Sequence, residues 1–331
     1  MLSLRRNFSH IYIERDALSY PDARAIIERF PRAERVFIDR YGQLLNRSHQ
    51  EWRVQKKSQK IVVALRRDNL IYPMPSIVQT VGTVPAFYNT PLINCLYDCS
   101  YCYLQGMYSS ANTVVFANSA DFFEAARREQ RRHGDIYLSL SYDTDLLGFE
   151  SILPLTSRWI EFARGEPRIT IEVRTKSAGF SKIAHLTPLP NAILAWTLSP
   201  HPVVDRFEPL TASLKARLEA AHAALDAGWR VRLVFDPILW SEDWRALYGD
   251  LLDEVQRFLP LERIEDATVG VFRMNGDFFK RLKKIRPETA TNYGTLAVQS
   301  DGIASYDPAI EHEMREFMIG RLSQQVARIH V

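Results

Sequence analysis

The chain has 331 residues, 46% of them hydrophobic and 24% charged, with a formal net charge of +3 and only three cysteines. That apolar content excludes a disordered chain, and the length suits two domains or one large α/β domain with an appendage. A sequence pI of about 8.7 permits contact with polyanions without demanding it, and three cysteines exclude a disulfide-stapled secreted fold.

The opening stretch Met1-Leu2-Ser3-Leu4-Arg5-Arg6-Asn7 is followed by no apolar run long enough for a signal peptide or a membrane span, so a cytoplasmic protein without membrane contact is expected. Residues 1–83 read as a small α/β unit. Tyr12-Ile13-Glu14 has strand character, Asp22 to Phe30 has helical spacing after Pro21, and Val36 to Asp39 and Lys60 to Leu65 read as short strands. Arg53 to Lys60 is polar and basic and reads as a loop.

From residue 84 strands and helices alternate. Apolar β-branched runs recur at residues 135–141, 169–173, 192–198, 231–235 and 268–272. Helical stretches fall at Ala120 to Arg132, Leu155 to Ala163, Ser213 to Ala227, Asp243 to Phe258 and Gly276 to Lys284. With the segment leading into Cys95, this predicts six βα units over residues 84–286, a parallel sheet with helices outside, open or closed into a barrel. Chemistry in such barrels sits at the C-terminal ends of the strands. In residues 287–331, Asp301-Gly302 between two apolar runs signals a hairpin, and a last helix is expected from Glu311 to Ile329.

All three cysteines fall in Cys95-Leu-Tyr-Asp-Cys99-Ser-Tyr-Cys102, just after the first barrel strand. This spacing lets three thiolates converge from one short loop. On a [4Fe–4S] cluster they leave one iron without a protein ligand. An open iron can chelate the amino and carboxylate groups of S-adenosylmethionine, whose reductive cleavage releases a 5′-deoxyadenosyl radical. Zinc fits poorly, because there is no fourth cysteine and the closest downstream histidine is His133. Structural cysteines are usually scattered and buried rather than clustered in a polar loop.

On these residues the chain resembles the radical S-adenosylmethionine superfamily and, within it, the spore photoproduct lyase family. Cys99-Ser-Tyr-Cys102-Tyr-Leu-Gln105 is similar to that family's cluster loop, and Arg174-Thr-Lys176 to its lysine-bearing strand end. Trp196-Thr-Leu-Ser199, Arg206-Phe-Glu-Pro209, Phe235-Asp-Pro-Ile238, Glu242-Asp-Trp244 and Ile11-Tyr12-Ile13-Glu14 extend the likeness over residues 10 to 290. The resemblance implies an α/β fold, a partial (βα)6 radical SAM barrel with a small N-terminal α/β unit and a C-terminal hairpin and helix.

It further implies that Cys95, Cys99 and Cys102 hold the [4Fe–4S] cluster and that Lys176 meets the S-adenosylmethionine carboxylate, a role suited to a point cation. Without that partner Lys176 is a solvated lysine at a strand end. Thr144 and Thr197 keep a hydroxyl where the family has cofactor-contacting serines. Ser199 belongs to the same matching stretch, and the backbone at Asp236 approaches adenine. Tyr101 and Tyr103 match tyrosines that position substrate and relay a hydrogen atom; packing beneath the cluster is the other use of such rings. A reducing electron donor such as flavodoxin or ferredoxin is implied, with a DNA lesion as one substrate class.

The sequence departs from the family twice. Tyr142 stands where the family has its hydrogen-donor cysteine, so either its phenol takes that role, the radical returns to 5′-deoxyadenosine, or the reaction differs. The stretch Gln299 to Asp307 nearly lacks the cations of the family's DNA-binding hairpin. A non-DNA small molecule or a peptide is therefore a second substrate class, and a non-catalytic Fe–S protein that binds nucleic acid is a third reading. The basic stretches Arg127-Arg128, Arg131-Arg132 and Lys280 to Arg286 lie on predicted helices and read first as solvated faces. Asp143 and Asp145 either reach the cofactor or cap the following helix. Glu172 and Arg174, alternating with apolar residues, serve a ligand or form a buried ion pair. His201 reads as a surface or packing residue.

Overall fold

The computed structural model describes residues 8–79, 82–288 and 294–331. The opening stretch Met1–Asn7, read above for a leader, lies outside them.

The N-terminal part builds β1 (His10–Glu14), α1 (Pro21–Glu28), β2 (Glu34–Ile38), α2 (Gly42–Leu45), α3 (Trp52–Lys57) and β3 (Ile61–Ala64). The α3 segment was expected as a loop. It is a helix because Trp52 and Lys56, one turn apart, are both buried, Trp52 against Leu104 and Ala111 and Lys56 on the Cys95 carbonyl. β4 (Ile71–Pro73), β5 (Ala86–Asn89), β6 (Leu92–Ile93), α4 (Leu104–Met107) and β7 (Thr113–Phe116) come next. β1, β2, β3, β6 and β7 form one sheet in the order β2-β1-β3-β7-β6, so two of its strands lie beyond residue 84. β7 is parallel to β3, and β6 runs antiparallel to β7.

α5 (Ser119–His133), β8 (Ile136–Ser139), α6 (Leu146–Phe149), α7 (Leu155–Arg164) and β9 (Ile169–Thr175) begin the repeating part. β10 (Ala192–Thr197), α8 (His201–Phe207), α9 (Leu214–Asp226), β11 (Arg230–Ile238), α10 (Trp244–Phe258) and β12 (Asp266–Val271) continue it. Six strands, β5 and β8 to β12, pair in parallel, as the alternation predicted. The sheet is open, in the order β16-β12-β11-β10-β9-β8-β5-β4. β8, β10 and β12 are buried almost throughout, as expected of strands covered on both faces.

After β12, β13 (Arg273–Asn275), α11 (Gly276–Ile285), β14 (Ala297–Val298), β15 (Ile303–Ser305), α12 (Pro308–Leu322) and β16 (Ile329–His330) complete the chain. The expected hairpin is present: Gly302 takes a positive φ of 81°, and Gln299 N–H donates to Ile303 O at 2.8 Å. It joins β13 in the small sheet β13-β15-β14. The last helix was expected to reach Ile329. It starts earlier, where Asp307 caps its N-terminus, and stops at Leu322, which frees residues 329–330 to pair in parallel with β12. Among the described residues no helix is long and apolar enough to cross a membrane.

Candidate active site

A cavity of about 590 Å³ opens at the C-terminal side of the parallel sheet, and Cys95, Cys99 and Cys102 all line it as free thiols. Their loop is held from several sides. Ser100 N–H and Asp98 N–H donate to the carbonyls of Phe207 and Pro209, at 2.8 and 3.1 Å. Gln105 Nε2 donates to Cys99 O at 2.9 Å, and Lys56 Nζ and Gln59 Nε2 both donate to Cys95 O. Trp52, Leu104 and Ala111 form a small apolar cluster against Cys95 and Cys102.

Burial pushes the Cys95 thiol up to about 12 and raises Cys99 and Cys102 as well. Thiols so placed stay protonated unless a metal ion takes the charge. Among the described residues no three His, Cys, Asp or Glu side chains close around a single ion. A [4Fe–4S] cluster has no such need, because it takes one thiolate on each iron and the sulfurs must stand apart. Three free thiols from one loop on one cavity wall therefore fit the donor set of a site-differentiated cluster.

The predicted cofactor residues lie around the same cavity, with one exception. Lys176, at the end of β9, lines it, and its ammonium sits 5.5 Å from the Tyr101 ring centroid. Thr144 and Thr197 line it too; Thr144 Oγ1 donates to Asn94 O at 2.8 Å. Asp236 reaches it because β11 bulges between Phe235 and Ile238. Ser199 is not among the lining residues: its hydroxyl donates to Glu208 Oε1 at 2.9 Å. Asp145 caps α6 through Gly148 N–H at 2.8 Å and also accepts from Thr175 Oγ1 and Lys176 N–H, which fixes the strand end that carries Lys176. Asp143 is buried and accepts from Thr90 at 2.7 Å, Tyr108 at 3.1 Å and Tyr103 at 3.3 Å; burial still holds its carboxyl above the usual range. His201 is a surface residue paired with Glu254 at 2.9 Å.

The tyrosines divide. Tyr101 is buried, and its hydroxyl donates to Glu208, which also pairs with the buried Arg217. Tyr103 donates to the carbonyl oxygen of Tyr142, and the Tyr142 ring lines the cavity. Tyr88 on β5 completes that wall and was not anticipated from the sequence.

A chain of alternating charges leads from the buried Asp266 and Arg232 to the cavity lining. Asp266 pairs with Arg232, Arg232 with Glu172, Glu172 with Arg174 at 3.3 Å, Arg174 with Asp236 at 3.7 Å and Asp236 with Arg273 at 3.2 Å. Tyr137 adds its hydroxyl to Glu172. The Arg174 and Arg232 guanidiniums hold the Glu172 carboxyl down at about 2 against the cost of burial. The Glu172–Arg174 alternation is thus an ion pair that also faces the cavity. Arg232 and Asp266 complete it and were missed, although Arg232 shows the same signal, a charge alternating with the apolar Val231 and Leu233. Two buried polar atoms of the lining, Gln79 Oε1 and Ser141 Oγ, lack a partner among the described residues. Such orphans are costly in an apolar wall and call for a polar ligand.

A family model described as spore photoproduct lyase matches residues 7–293. Spore photoproduct lyase of Geobacillus sp. (strain Y412MC61) is 24% identical over 284 residues, covering 83% of this chain and 80% of that relative. Spore photoproduct lyase of Clostridium acetobutylicum is 21% identical over 330 residues, covering 96% and 95%. Among solved structures, a spore photoproduct lyase double mutant with bound AdoMet and dinucleoside spore photoproduct superposes with a TM-score of 0.80 at 19% identity over 97% of each chain. A spore photoproduct lyase complexed with dinucleoside spore photoproduct gives 0.80 at 20% over the same share. At these identities the superpositions establish the fold, a partial radical SAM barrel.

Proposed function

Because the chain belongs to the spore photoproduct lyase family of radical S-adenosylmethionine lyases of DNA repair, we infer that the cavity binds S-adenosylmethionine beside a [4Fe–4S] cluster on Cys95, Cys99 and Cys102 and acts on a lesion-bearing nucleotide. The observation that carries this reading is the meeting of three free thiols, Lys176 and the unpartnered Gln79 Oε1 and Ser141 Oγ around one cavity. When bound, the cluster and S-adenosylmethionine supply a 5′-deoxyadenosyl radical that abstracts hydrogen from the substrate.

The chain's own groups do the rest. Lys176 holds the cofactor carboxylate, and Asp145 fixes Lys176 through its main-chain N–H. Thr144 and Thr197 offer hydroxyls to the cofactor, while Asp236 lies at the β11 bulge where the backbone meets adenine. Tyr101, tied to Glu208, supports the loop from below; Tyr103 braces Tyr142. Tyr142 presents its phenolic hydrogen to the cavity, and burial keeps that phenol protonated. The aromatic wall excludes water from the reacting centre.

One observation favours a second substrate within the same chemistry. The hairpin of β14 and β15, residues 297–305, carries no Lys or Arg, so a nucleotide-sized or other small substrate is the alternative to duplex DNA. Anaerobic reconstitution with iron and sulfide, then reduction with S-adenosylmethionine present, is expected to yield 5′-deoxyadenosine, and a Cys99→Ala variant is expected to yield none. No 5′-deoxyadenosine from the unsubstituted chain, or its survival in that variant, overturns the assignment. Binding to irradiated oligonucleotides across a salt series separates the two substrate classes, since phosphate contacts give a steep slope.

A further inference from the structure

We propose that a second groove, behind the cysteine loop, is the docking site of a small acidic one-electron carrier protein, with Cys95 as the entry point for the electron. The proposal rests on the cluster assignment above. The groove has a volume of about 540 Å³ and is lined by Lys56, Lys57, Gln59, Asp98 and Leu210 among others; none of its lining residues lines the large cavity. A carrier seated there leaves cofactor and substrate undisturbed on the other side of the loop.

The coupling to the loop is short. Lys56 Nζ and Gln59 Nε2, the latter at 3.1 Å, donate to the carbonyl of Cys95, whose thiol is on the cavity wall. One hydrogen bond therefore separates the groove wall from the backbone of a cluster ligand.

The surface around the groove is basic. α3 ends in Lys56-Lys57, and α11 carries the Lys280 to Arg286 run that the large cavity does not use. The two helices flank the loop together: Arg53 pairs with Glu288 at 3.3 Å, and Ile285 packs on the same small apolar cluster as Cys95 and Cys102. Of the nearby carboxylates, Asp98 is engaged by Arg286 and Glu288 by Arg53. Lys57, Lys283 and Lys284 stay exposed, and Leu210, half exposed at 50%, offers an apolar contact in the groove. A polyanion such as DNA would also be drawn to this charge, but a compact groove joined to a cluster ligand suits an electron carrier better than an extended phosphate track. The step itself moves one electron and no atom: the carrier is oxidised by one and the cluster reduced by one.

The test uses the reconstituted holoenzyme and its K57E/K284E variant, with K57Q/K284Q as the milder change. Reduced flavodoxin is the acidic probe. Its affinity is followed by calorimetry, and cluster bleaching by stopped flow, at low and high salt. The charge reversal is expected to slow reduction by flavodoxin about tenfold or more and to flatten its salt dependence. Dithionite-driven 5′-deoxyadenosine formation should stay unchanged. Unaltered affinity and rate with flavodoxin overturn the proposal, as does a variant that loses only binding to an oligonucleotide duplex. If dithionite yields no 5′-deoxyadenosine from the unsubstituted enzyme, the cluster chemistry is what fails, and the flavodoxin isotherms alone decide the groove.

Discussion

The ring of Tyr142 lies 4.1 Å from that of Tyr88, centroid to centroid, tilted by 31°. Tyr88 in turn stacks on Tyr72 at 5.0 Å and 14°. Tyr142 is thus a phenol built into an aromatic wall of the cavity. Tyr142→Phe keeps the ring and removes the only hydrogen that the side chain could donate. The variant is expected to cleave S-adenosylmethionine as before but to form less than a tenth of the product, and its product should carry less solvent deuterium when the reaction runs in D2O. Product formed at the normal rate with normal deuterium content would exclude Tyr142 as the donor.

Lys176 is placed by its own backbone, since its N–H donates to Asp145 Oδ2 at 2.7 Å. Loss of its cation in Lys176→Ala should weaken S-adenosylmethionine binding by roughly 10- to 150-fold, the worth of a hydrogen bond to a charged group. Lys176→Arg should restore only part of this, because a planar fork does not replace a compact ammonium. Calorimetric titration of the reconstituted protein reads both effects, and an unchanged affinity in the alanine variant would exclude the contact.

Glu172 makes stability depend on acid in a defined window. Its carboxyl is held at about 2 in the folded protein and titrates near 4.3 when the chain unfolds. Its stabilisation is therefore complete above that unfolded value and fades as pH falls toward 2. Glu172→Gln leaves two guanidiniums facing an amide, which should cost about 3–5 kcal/mol at neutral pH. Urea denaturation between pH 7 and pH 2 should show a shallower acid decline for the variant than for the parent. Parallel curves would refute the assignment.

Gly270 on β12 is spoken for by space. A Cβ there would lie 2.0 Å from Gln79 Nε2, 2.7 Å from Arg273 Nη1 and 2.8 Å from Asp236 Cγ. Gly270→Ala should displace all three from the cavity wall at a cost of about 1–3 kcal/mol. S-adenosylmethionine affinity is expected to fall at least tenfold while iron loading is retained. Equilibrium binding and iron analysis on one sample check both halves.

The parts of this architecture that repeat were legible in the sequence, and those that depend on distant partners were not. The six βα units announce themselves by alternation, and Cys95, Cys99 and Cys102 by spacing within one loop. α3 was hidden because Arg53, Gln55 and Lys57 dominate its composition, while its helical signal is the Trp52–Lys56 pair alone. β16 was hidden because two residues are too few to show a pattern, and its partner β12 lies some sixty residues upstream. Glu208 was noted only within the matching stretch Arg206 to Pro209 and Arg217 was not singled out, yet both are buried and join Tyr101 under the loop. Charge pairing of this kind has no local period, so the sequence offers nothing to count.

β6 and β7 pair antiparallel, with Leu92 opposite Val115 and Ile93 opposite Val114. Residues 94–112, with all three cysteines, are thus an excursion whose two ends both stand in the N-terminal sheet, although its thiols face the half-barrel. The consequence concerns how the molecule comes apart. A chain started at β4 would keep every cysteine but leave β7 without its neighbour β3, and gentle heating that opens the first sheet should release iron while the half-barrel stays folded. Iron retention then becomes a gauge of the first sheet rather than of the barrel around the chemistry.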